Sequence, residues 1–171
     1  MRHPFYALVL TVLTLCALHE STAQPNLPVP QPSPLATVSQ TAGITVVTIT
    51  YHRPAVKGRT VWGGLVPYDE VWRAGANENT TVSFSTPVRL AGTTIPAGTY
   101  GLHMIPTTGT WTVIVNKNAT SWGSYFYKQS EDALRFPVEP KTNPFHEWLQ
   151  YEFSDITDTS AILSLLWENL R

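Results

Sequence analysis

Apolar and polar residues alternate along most of the chain after residue 35, and this two-residue period predicts β-strands. In residues 43–51, Val47, Ile49 and Tyr51 lie on one face of an extended segment and threonines lie on the other. The β-branched and aromatic content of such segments is typical of strands. Further segments of this kind are residues 80–85, 88–105, 111–116, 134–138, 147–153 and 160–168.

Turn signals separate these segments at short intervals. Gly92, Pro96 and Gly98 divide residues 88–105 into short pieces, and Gly109 precedes the next segment. The intervals are too short for the crossover helices that parallel strands require, so the pairing should be antiparallel. The pattern predicts an all-β fold: a single antiparallel β-sandwich or partly open barrel of about 7–9 short strands, with one long loop or short helical turn.

Two segments bear on the helical content. Residues 67–72 begin with a proline that two acidic residues soon follow, which suits a helix start and predicts the short helical turn. Residues 161–170 have the length of a short helix. Leu163, Leu165 and Trp167 alternate there with smaller or polar residues, which favours a strand.

The N-terminus has the three parts of a secretory signal peptide. A positive start at Arg2 precedes an apolar run over residues 5–18, and small residues lead to a cleavage site between Ala23 and Gln24. The run is shorter than the about 20 residues that a membrane-spanning helix needs. We therefore expect residues 1–23 to be removed, leaving a secreted or periplasmic protein with no stable membrane span after cleavage.

Composition divides the remaining chain. Residues 24–34 hold five prolines and predict an extended Pro-rich tether, followed by a single β-rich domain over residues 35–171. The only cysteine, Cys16, leaves with the signal peptide, so burial alone must hold the domain together. Residues 1–23 carry one basic and one acidic residue, so the net charge of −1 is unchanged by cleavage. A near-neutral domain disfavours a nucleic-acid partner.

Several linked motifs resemble one family. They are "RPAVKGRTVWGGLVPYDEVWRAGANENTTVSF", "IPAGTYGLHMIP", "WTVIVNK", "WGSYFY", "DALRF" and "EWLQYEF". From about Leu35 to the end, the chain resembles the secreted bacterial family catalogued as domain of unknown function 2911. The resemblance implies an exported β-rich domain and supplies no activity, cofactor or catalytic residue. Its members usually have glycine where Asp69 stands here.

Residues 51–77 form the densest cluster of cationic and aromatic side chains. Arg73 and Asn77 flank Gly75, so a tight loop could turn both side chains toward one ligand. A guanidinium suits a carboxylate or phosphate, and an amide both donates and accepts hydrogen bonds. The alternative interpretation is structural, with Arg73 satisfying the carbonyls of a long loop.

His103 is the candidate catalytic residue and a second candidate ligand-binding residue. On its predicted strand it faces away from Leu102 and Met104, and Gly101 beside it leaves space on the same face. A histidine there could carry protons or bind a ligand. The alternative is a hydrogen-bonded histidine on a half-covered sheet face.

No metal site or cofactor is expected. His52, His103 and His146 share no local ligand spacing, and carboxylates are sparse near them. The sequence "WGSYF" around Ser124 also lacks the G-x-S-x-G pattern of a serine nucleophile.

Loop aromatics complete the set of candidates. Trp62 and Trp122 lie in glycine-rich loops, with Tyr68 near the first of them. Exposed, these rings would suit stacking on sugars; folded inward, they would form a small core beneath a long loop.

Two functions are compatible with these residues. The first is an exported module that binds a small polar ligand or cell-envelope glycan on a loop face made by residues 51–77 and Trp122. The alternative is a small hydrolase or isomerase with a pocket of His103, Arg73 and Asn77. Convergence of those three side chains on one open cavity would favour the enzyme.

Overall fold

The computed structural model describes residues 29–171. The predicted signal peptide (1–23) and the first part of the predicted tether (24–28) lie outside the described residues. The described strands are β1 (Leu35–Ala42), β2 (Thr45–His52), β3 (Thr81–Phe84), β4 (Val88–Leu90), β5 (Thr93–Ile95), β6 (Gly98–Ile105), β7 (Trp111–Asn116), β8 (Asp132–Val138), β9 (Thr142–Ser154) and β10 (Ile162–Leu170). The predicted all-β fold is confirmed.

One six-stranded sheet, the main sheet, dominates the architecture. Its order is β1-β2-β3-β6-β7-β8, and every neighbouring pair is antiparallel. The strands β9 and β10 form a separate antiparallel ribbon, and β4 and β5 form a small hairpin. The main sheet and the ribbon supply the side chains of one core, as in a partly open sandwich.

The core lies where the alternation predicts. Ile49 and Tyr51 of β2 are buried together with Leu102 of β6, whereas the threonines beside them on β2 face outward. From the ribbon, Leu149 and Trp167 are buried in the same core. Residues 161–170 are therefore strand rather than helix, because their alternating apolar face is needed to cover the main sheet.

Ten strands among residues 29–171 exceed the expected number slightly. The extra strand is β1, which the sequence pattern did not predict, whereas β4 and β5 correspond to the short pieces expected within residues 88–105. Residues 67–72 form turns without a helix. Of the two predicted alternatives, a long loop or a short helical turn, the structure therefore has the long loop. Asp69 there has a φ of +63°, a left-handed conformation that glycine adopts at least cost.

The long loop, residues 53–80, extends the main sheet beside β6. Trp72 and Met104 exchange two backbone hydrogen bonds of 2.8 Å each, where β3 no longer covers the edge of β6. The ring of Trp72 packs against the core, and Arg73 follows it on the chain. This pairing fixes Arg73 next to the strand that carries His103.

Residues Gln31–Arg171 form one compact unit. This unit includes the end of the predicted tether, where the carbonyl oxygen of Ser33 accepts a hydrogen bond from His52 Nδ1 at 2.8 Å. The carbonyl oxygen of Pro34 accepts a hydrogen bond from the backbone nitrogen of Arg53 at 2.9 Å. Within residues 29–171 no helix has the length and apolar content to cross a membrane.

Candidate functional site

A polar cluster covers the outer face of the main sheet, opposite the core. The register places Gly101 of β6 opposite Asn116 of β7, which lies opposite Asp132 of β8, and His103 stands two residues further along β6. Residues 117–128, here called the cover loop, connect β7 to a short 3₁₀ turn at Gln129–Glu131. The cover loop lies against this cluster through hydrogen bonds to its members.

His103 is at the centre of the cluster and is only 2% exposed. Its Nδ1 lies 3.0 Å from Oγ of Ser124 in the cover loop, and its ring centroid lies 5.4 Å from that of Tyr127. Burial lowers the pKa of His103 to about 4; the charge of Asp132 opposes this shift and that of Arg73 adds to it. The imidazole is therefore neutral at neutral pH.

A notch beside Gly101 faces the second ring nitrogen of His103. A Cβ at Gly101 would lie 2.5 Å from the carbonyl oxygen of Asn118, 3.1 Å from His103 Nε2 and 3.3 Å from Asn79 Nδ2. Among residues 29–171, the buried Oδ1 of Asn79 has no hydrogen-bond partner. The absent side chain of Gly101 thus lets a carbonyl, an imidazole nitrogen and an amide meet in one small space.

Asp132 fastens the cover loop to the sheet. Its two carboxylate oxygens accept hydrogen bonds of 2.7 Å from Nδ2 of Asn116 and from the hydroxyl of Tyr127, and Arg135 Nε lies 3.7 Å away. Burial, followed by the bond to Asp132, raises the pKa of Tyr127 to about 12. Tyr127 is therefore a neutral donor, and these contacts hold the loop in position.

Arg73 lies at the edge of the cluster and is only partly buried. Its Nη1 donates a 2.6 Å hydrogen bond to the backbone oxygen of Asn77, and its Cζ lies 5.8 Å from the ring centroid of Tyr125. A Cβ at Gly123 would lie 2.7 Å from that Cζ, so the loop backbone packs directly against the guanidinium. No acidic side chain of residues 29–171 forms an ion pair with Arg73.

The side chain of Asn77 belongs to a different group of contacts. Its Nδ2 lies 3.1 Å from His52 Nδ1 and 3.4 Å from the carbonyl oxygen of Ser33, while His52 Nε2 lies 2.7 Å from Glu78 Oε2. Ala74 and Asn77 both have positive φ, which reverses the chain around Gly75. Asn77 therefore contributes its backbone oxygen, and not its side chain, to Arg73, whose charge lies close enough to His103 to lower its pKa.

The candidate aromatic residues divide between core and surface. Trp62 is 9% exposed and lies in a cluster of four indoles with Trp72, Trp111 and Trp167, with ring centroids 4.7–5.7 Å from its own. Tyr68 is partly buried and packs against the core. By contrast, Trp122 of the cover loop is 52% exposed. Only Trp122 of these three therefore presents a large ring surface to a ligand.

Sequence reasoning missed several members of the cluster. Ser124 lacks the sequence motif of a nucleophile, and neither Asn79 nor Asp132 is among the candidate residues that the sequence indicates. The register of β6, β7 and β8 is what brings Asp132 to the face of His103. The one available signal was the group of tyrosines and glycine around Ser124 in "WGSYFY".

The three histidines of the described residues have separate surroundings and do not form one cluster. His52 contacts Glu78, His103 contacts Ser124, and His146 lies on β9 in the ribbon. Within the described part of the chain, no group of three His, Cys, Asp or Glu side chains is arranged to hold a metal ion.

The comparison with protein families agrees with the motifs. A family described as "Protein of unknown function (DUF2911)" matches residues 33–171, which include both layers and the cover loop. The chain belongs to the DUF2911 family. No curated protein and no solved structure matches this DUF2911 chain.

The cluster of this DUF2911 domain combines three kinds of group. Arg73 supplies a positive charge without an acidic partner among residues 29–171, His103 and Ser124 supply neutral hydrogen-bonding atoms, and Trp122 and Tyr125 supply exposed rings. Such a set can bind an anionic group, hydrogen-bond its neighbours and stack on a flat or ring-shaped body.

Proposed function

We propose that this DUF2911 domain is an exported binding module for a small polar ligand with a carboxylate or phosphate group, such as an acidic sugar of a cell-envelope glycan. The observation that carries the proposal is Arg73, a partly buried guanidinium with no acidic partner among residues 29–171. Guanidinium groups in such positions bind planar anions through paired hydrogen bonds.

The neighbours of Arg73 support a ligand that is polar beyond its anionic group. Ser124 carries a hydroxyl that can accept or donate, and the neutral His103 adds no second charge that would favour a dianion. Trp122 and Tyr125 are 52% and 77% exposed, and rings of this kind pack against the apolar faces of sugars. An acidic sugar has a carboxylate for Arg73, hydroxyls for the hydrogen-bonding groups and an apolar ring face for the aromatic side chains.

Preorganisation also supports binding. The guanidinium is fixed by Asn77, by the backbone at Gly123 and by the ring of Tyr125, so little side-chain entropy remains to be lost when a ligand arrives. The cover loop is itself held by Asp132. A flexible surface arginine would lack this advantage.

The test compares glucuronate with glucose by titration calorimetry on the purified protein and two arginine variants. Arg73→Gln should weaken glucuronate binding by roughly ten-fold or more, because the loss of one charged hydrogen-bonding partner costs about 1.5–3 kcal/mol. The matched control is Arg89→Gln on the β4–β5 hairpin, which should bind glucuronate as the unmodified protein does. Equal glucuronate binding by the Arg73→Gln variant would exclude this site.

A second variant tests the sugar body of the ligand. Trp122→Ala should weaken glucuronate binding while leaving binding of inorganic phosphate unchanged, since phosphate has no face on which an indole can stack. If neither ligand binds the unmodified protein at millimolar concentration, the proposal fails.

One observation favours a second function, acid–base catalysis at His103. Its Nδ1 contacts Ser124, and Nε2 faces the notch at Gly101 with no hydrogen-bond partner among the described residues. A hydrolase or isomerase could use this nitrogen to move a proton. A pKa near 4 makes His103 a weak base at neutral pH, which is why binding is the first proposal. Turnover of ester or glycoside substrates that His103→Gln abolishes, with folding retained, would establish the enzyme instead.

A further inference from the structure

A cavity of about 530 Å³ lies between the main sheet and the ribbon, on the opposite side of the main sheet from the polar cluster. Its deep part is lined by buried apolar residues of both layers, among them Val82, Leu102, Val115 and Leu165. This volume falls within the range of about 300–1,000 Å³ that small-molecule pockets occupy. Two strands are too few to cover six, so the interior is incompletely filled.

Part of the cavity is open to solvent. Its exposed lining residues lie on two segments, the start of the β4–β5 hairpin and the turn between β9 and β10, and they are Pro87, Arg89, Thr159, Ser160 and Ile162. The mouth therefore has two hydroxyl side chains and one arginine, whereas the deep lining is mostly apolar. Such a gradient fits an amphipathic ligand that enters with its apolar end first.

Arg89 is the only charged residue among the described residues that line the cavity, and it is exposed at the mouth. Its Nε donates to the carbonyl oxygen of Gly92 at 3.3 Å, which holds the side chain on its own hairpin. No acidic side chain of residues 29–171 forms an ion pair with it, and the acidic residues of the β9–β10 turn, Asp155 and Asp158, are outside the lining. The charge at the mouth therefore selects an anionic head group.

We propose that this cavity binds a fatty acid, with the aliphatic chain between the two layers and the carboxylate at Arg89. The site differs from the polar cluster in position and in chemistry, because its depth offers no charged group and its mouth offers one. A neutral oil would leave Arg89 unused. A single aliphatic chain with a carboxylate satisfies both parts.

The first test is a series of octanoate, decanoate and dodecanoate, titrated below their micelle concentrations. Each added pair of methylene groups that enters the cavity should tighten binding by roughly ten-fold. Affinity that does not change along the series would show that the chain stays outside the cavity and would overturn the proposal.

The second test asks whether Arg89 holds the head group. Arg89→Gln should weaken dodecanoate binding by roughly ten-fold and leave dodecanol binding unchanged, because only the acid carries a charge. The matched control is Lys57→Gln in the long loop, an exposed cation outside the cavity lining, which should bind both ligands as the unmodified protein does. Equal loss in the Arg89 and Lys57 variants would point to non-specific charge effects and would overturn the assignment to Arg89.

The third test locates the chain. Ala161→Trp should narrow the mouth and weaken both dodecanoate and dodecanol by ten-fold or more, with an unchanged circular dichroism spectrum. In the unmodified protein, dodecanoate should shift the methyl NMR signals of Leu102, Val115 and Leu165, whichever way the tryptophan variant folds. Shifts confined to the exposed rings of the cover loop would show adsorption to the surface and would refute the cavity site.

Discussion

Gly101 decides how closely the cover loop approaches the sheet. The carbonyl oxygen of Asn118 lies where even a methyl group on Gly101 would be 2.5 Å away, and this oxygen belongs to the backbone rather than to a flexible side chain. The close approach is what places Ser124 within hydrogen-bonding distance of His103. A residue without a side chain is therefore a condition for the polar cluster.

We predict that Gly101→Ala destabilises the domain by about 1–3 kcal/mol, the usual cost of forcing an extra carbon into a packed site. Gly109→Ala is the matched control, because the nearest atom to its added carbon would be Thr107 Oγ1 at 4.0 Å. Urea denaturation of the three proteins measures the difference. Equal stability of the two variants would mean that the cover loop can move away without cost.

His103 should make stability depend on pH. Its pKa is lowered from the ordinary value of 6.5 to about 4 in the folded protein, so between these values the unfolded chain binds a proton that the folded chain does not. The contribution of His103 to the free energy of unfolding is therefore fully present above pH 6.5. It falls as the pH drops toward 4, by about 3 kcal/mol for a pKa shift of this size.

The measurement compares the unmodified protein with His103→Gln, which removes the proton-binding group. The free energy of unfolding of the variant should fall less steeply between pH 7 and 4. His146→Gln on β9 is the control and should keep the slope of the unmodified protein. Parallel pH profiles for the unmodified protein and His103→Gln would show that His103 titrates alike in both states.

At the residue scale, the sequence predicted the face on which a side chain lies better than it predicted the residues that the side chain contacts. Strand alternation correctly placed His103 on the face opposite Leu102 and Met104. Its contact with Ser124 depends on a loop that crosses from β7 to β8, and no periodicity specifies such a path. The side chain of Asn77 likewise turned to His52, a partner 25 residues away in the chain.

At the scale of elements, the long loop was the least predictable segment. Its sequence allowed the ring of Trp62 either to be exposed to a ligand or to pack inward. A glycine-rich loop has no repeating pattern that distinguishes these outcomes. The cluster with Trp72, Trp111 and Trp167 decides in favour of packing, because three segments far apart in sequence supply its rings.

We predict opposite behaviour for the two loop tryptophans. Trp62→Ala should cost about 3–5 kcal/mol, since it removes a buried indole from the core. Trp122→Ala should change stability by no more than about 0.5 kcal/mol, as expected for an exposed side chain. Thermal unfolding followed by circular dichroism measures both. A stable Trp62→Ala protein would mean that the long loop does not need this ring to hold its position.

At the scale of the whole molecule, the sequence predicted the layers but not their order. Alternation identified which face of each strand is apolar, and that is sufficient for an antiparallel sandwich. The insertion of the β4–β5 hairpin between the neighbours β3 and β6 follows from tertiary packing. The local sequence also does not predict the pairing of the long loop with β6, because this pairing uses backbone atoms that every residue has.

Two tyrosines join the three parts of the fold. The hydroxyl of Tyr51 in the main sheet accepts a 3.0 Å hydrogen bond from the backbone nitrogen of Tyr151 in the ribbon. The hydroxyl of Tyr151 donates in turn to the carbonyl oxygen of Ala74 in the long loop at 2.9 Å. Both rings are buried and pack edge to face, with centroids 4.7 Å apart. The polar site and the cavity thus share one set of internal hydrogen bonds.

These bonds should differ in their effect on stability. Tyr51→Phe leaves the buried backbone N–H of Tyr151 without its acceptor and should cost about 1–3 kcal/mol. Tyr151→Phe should cost less, about 1 kcal/mol, because the oxygen of Ala74 keeps a 3.2 Å bond from Thr80 Oγ1.

Adding Thr80→Val to Tyr151→Phe removes both donors to Ala74, so the double variant should lose more stability than the two single changes added together. Urea denaturation of the single and double variants measures this coupling. Strict additivity would show that the long loop does not depend on Ala74 for its attachment. The polar site would then be held by the cover loop and the pairing of Trp72 with β6 alone, and Arg73 would keep its position in either single variant.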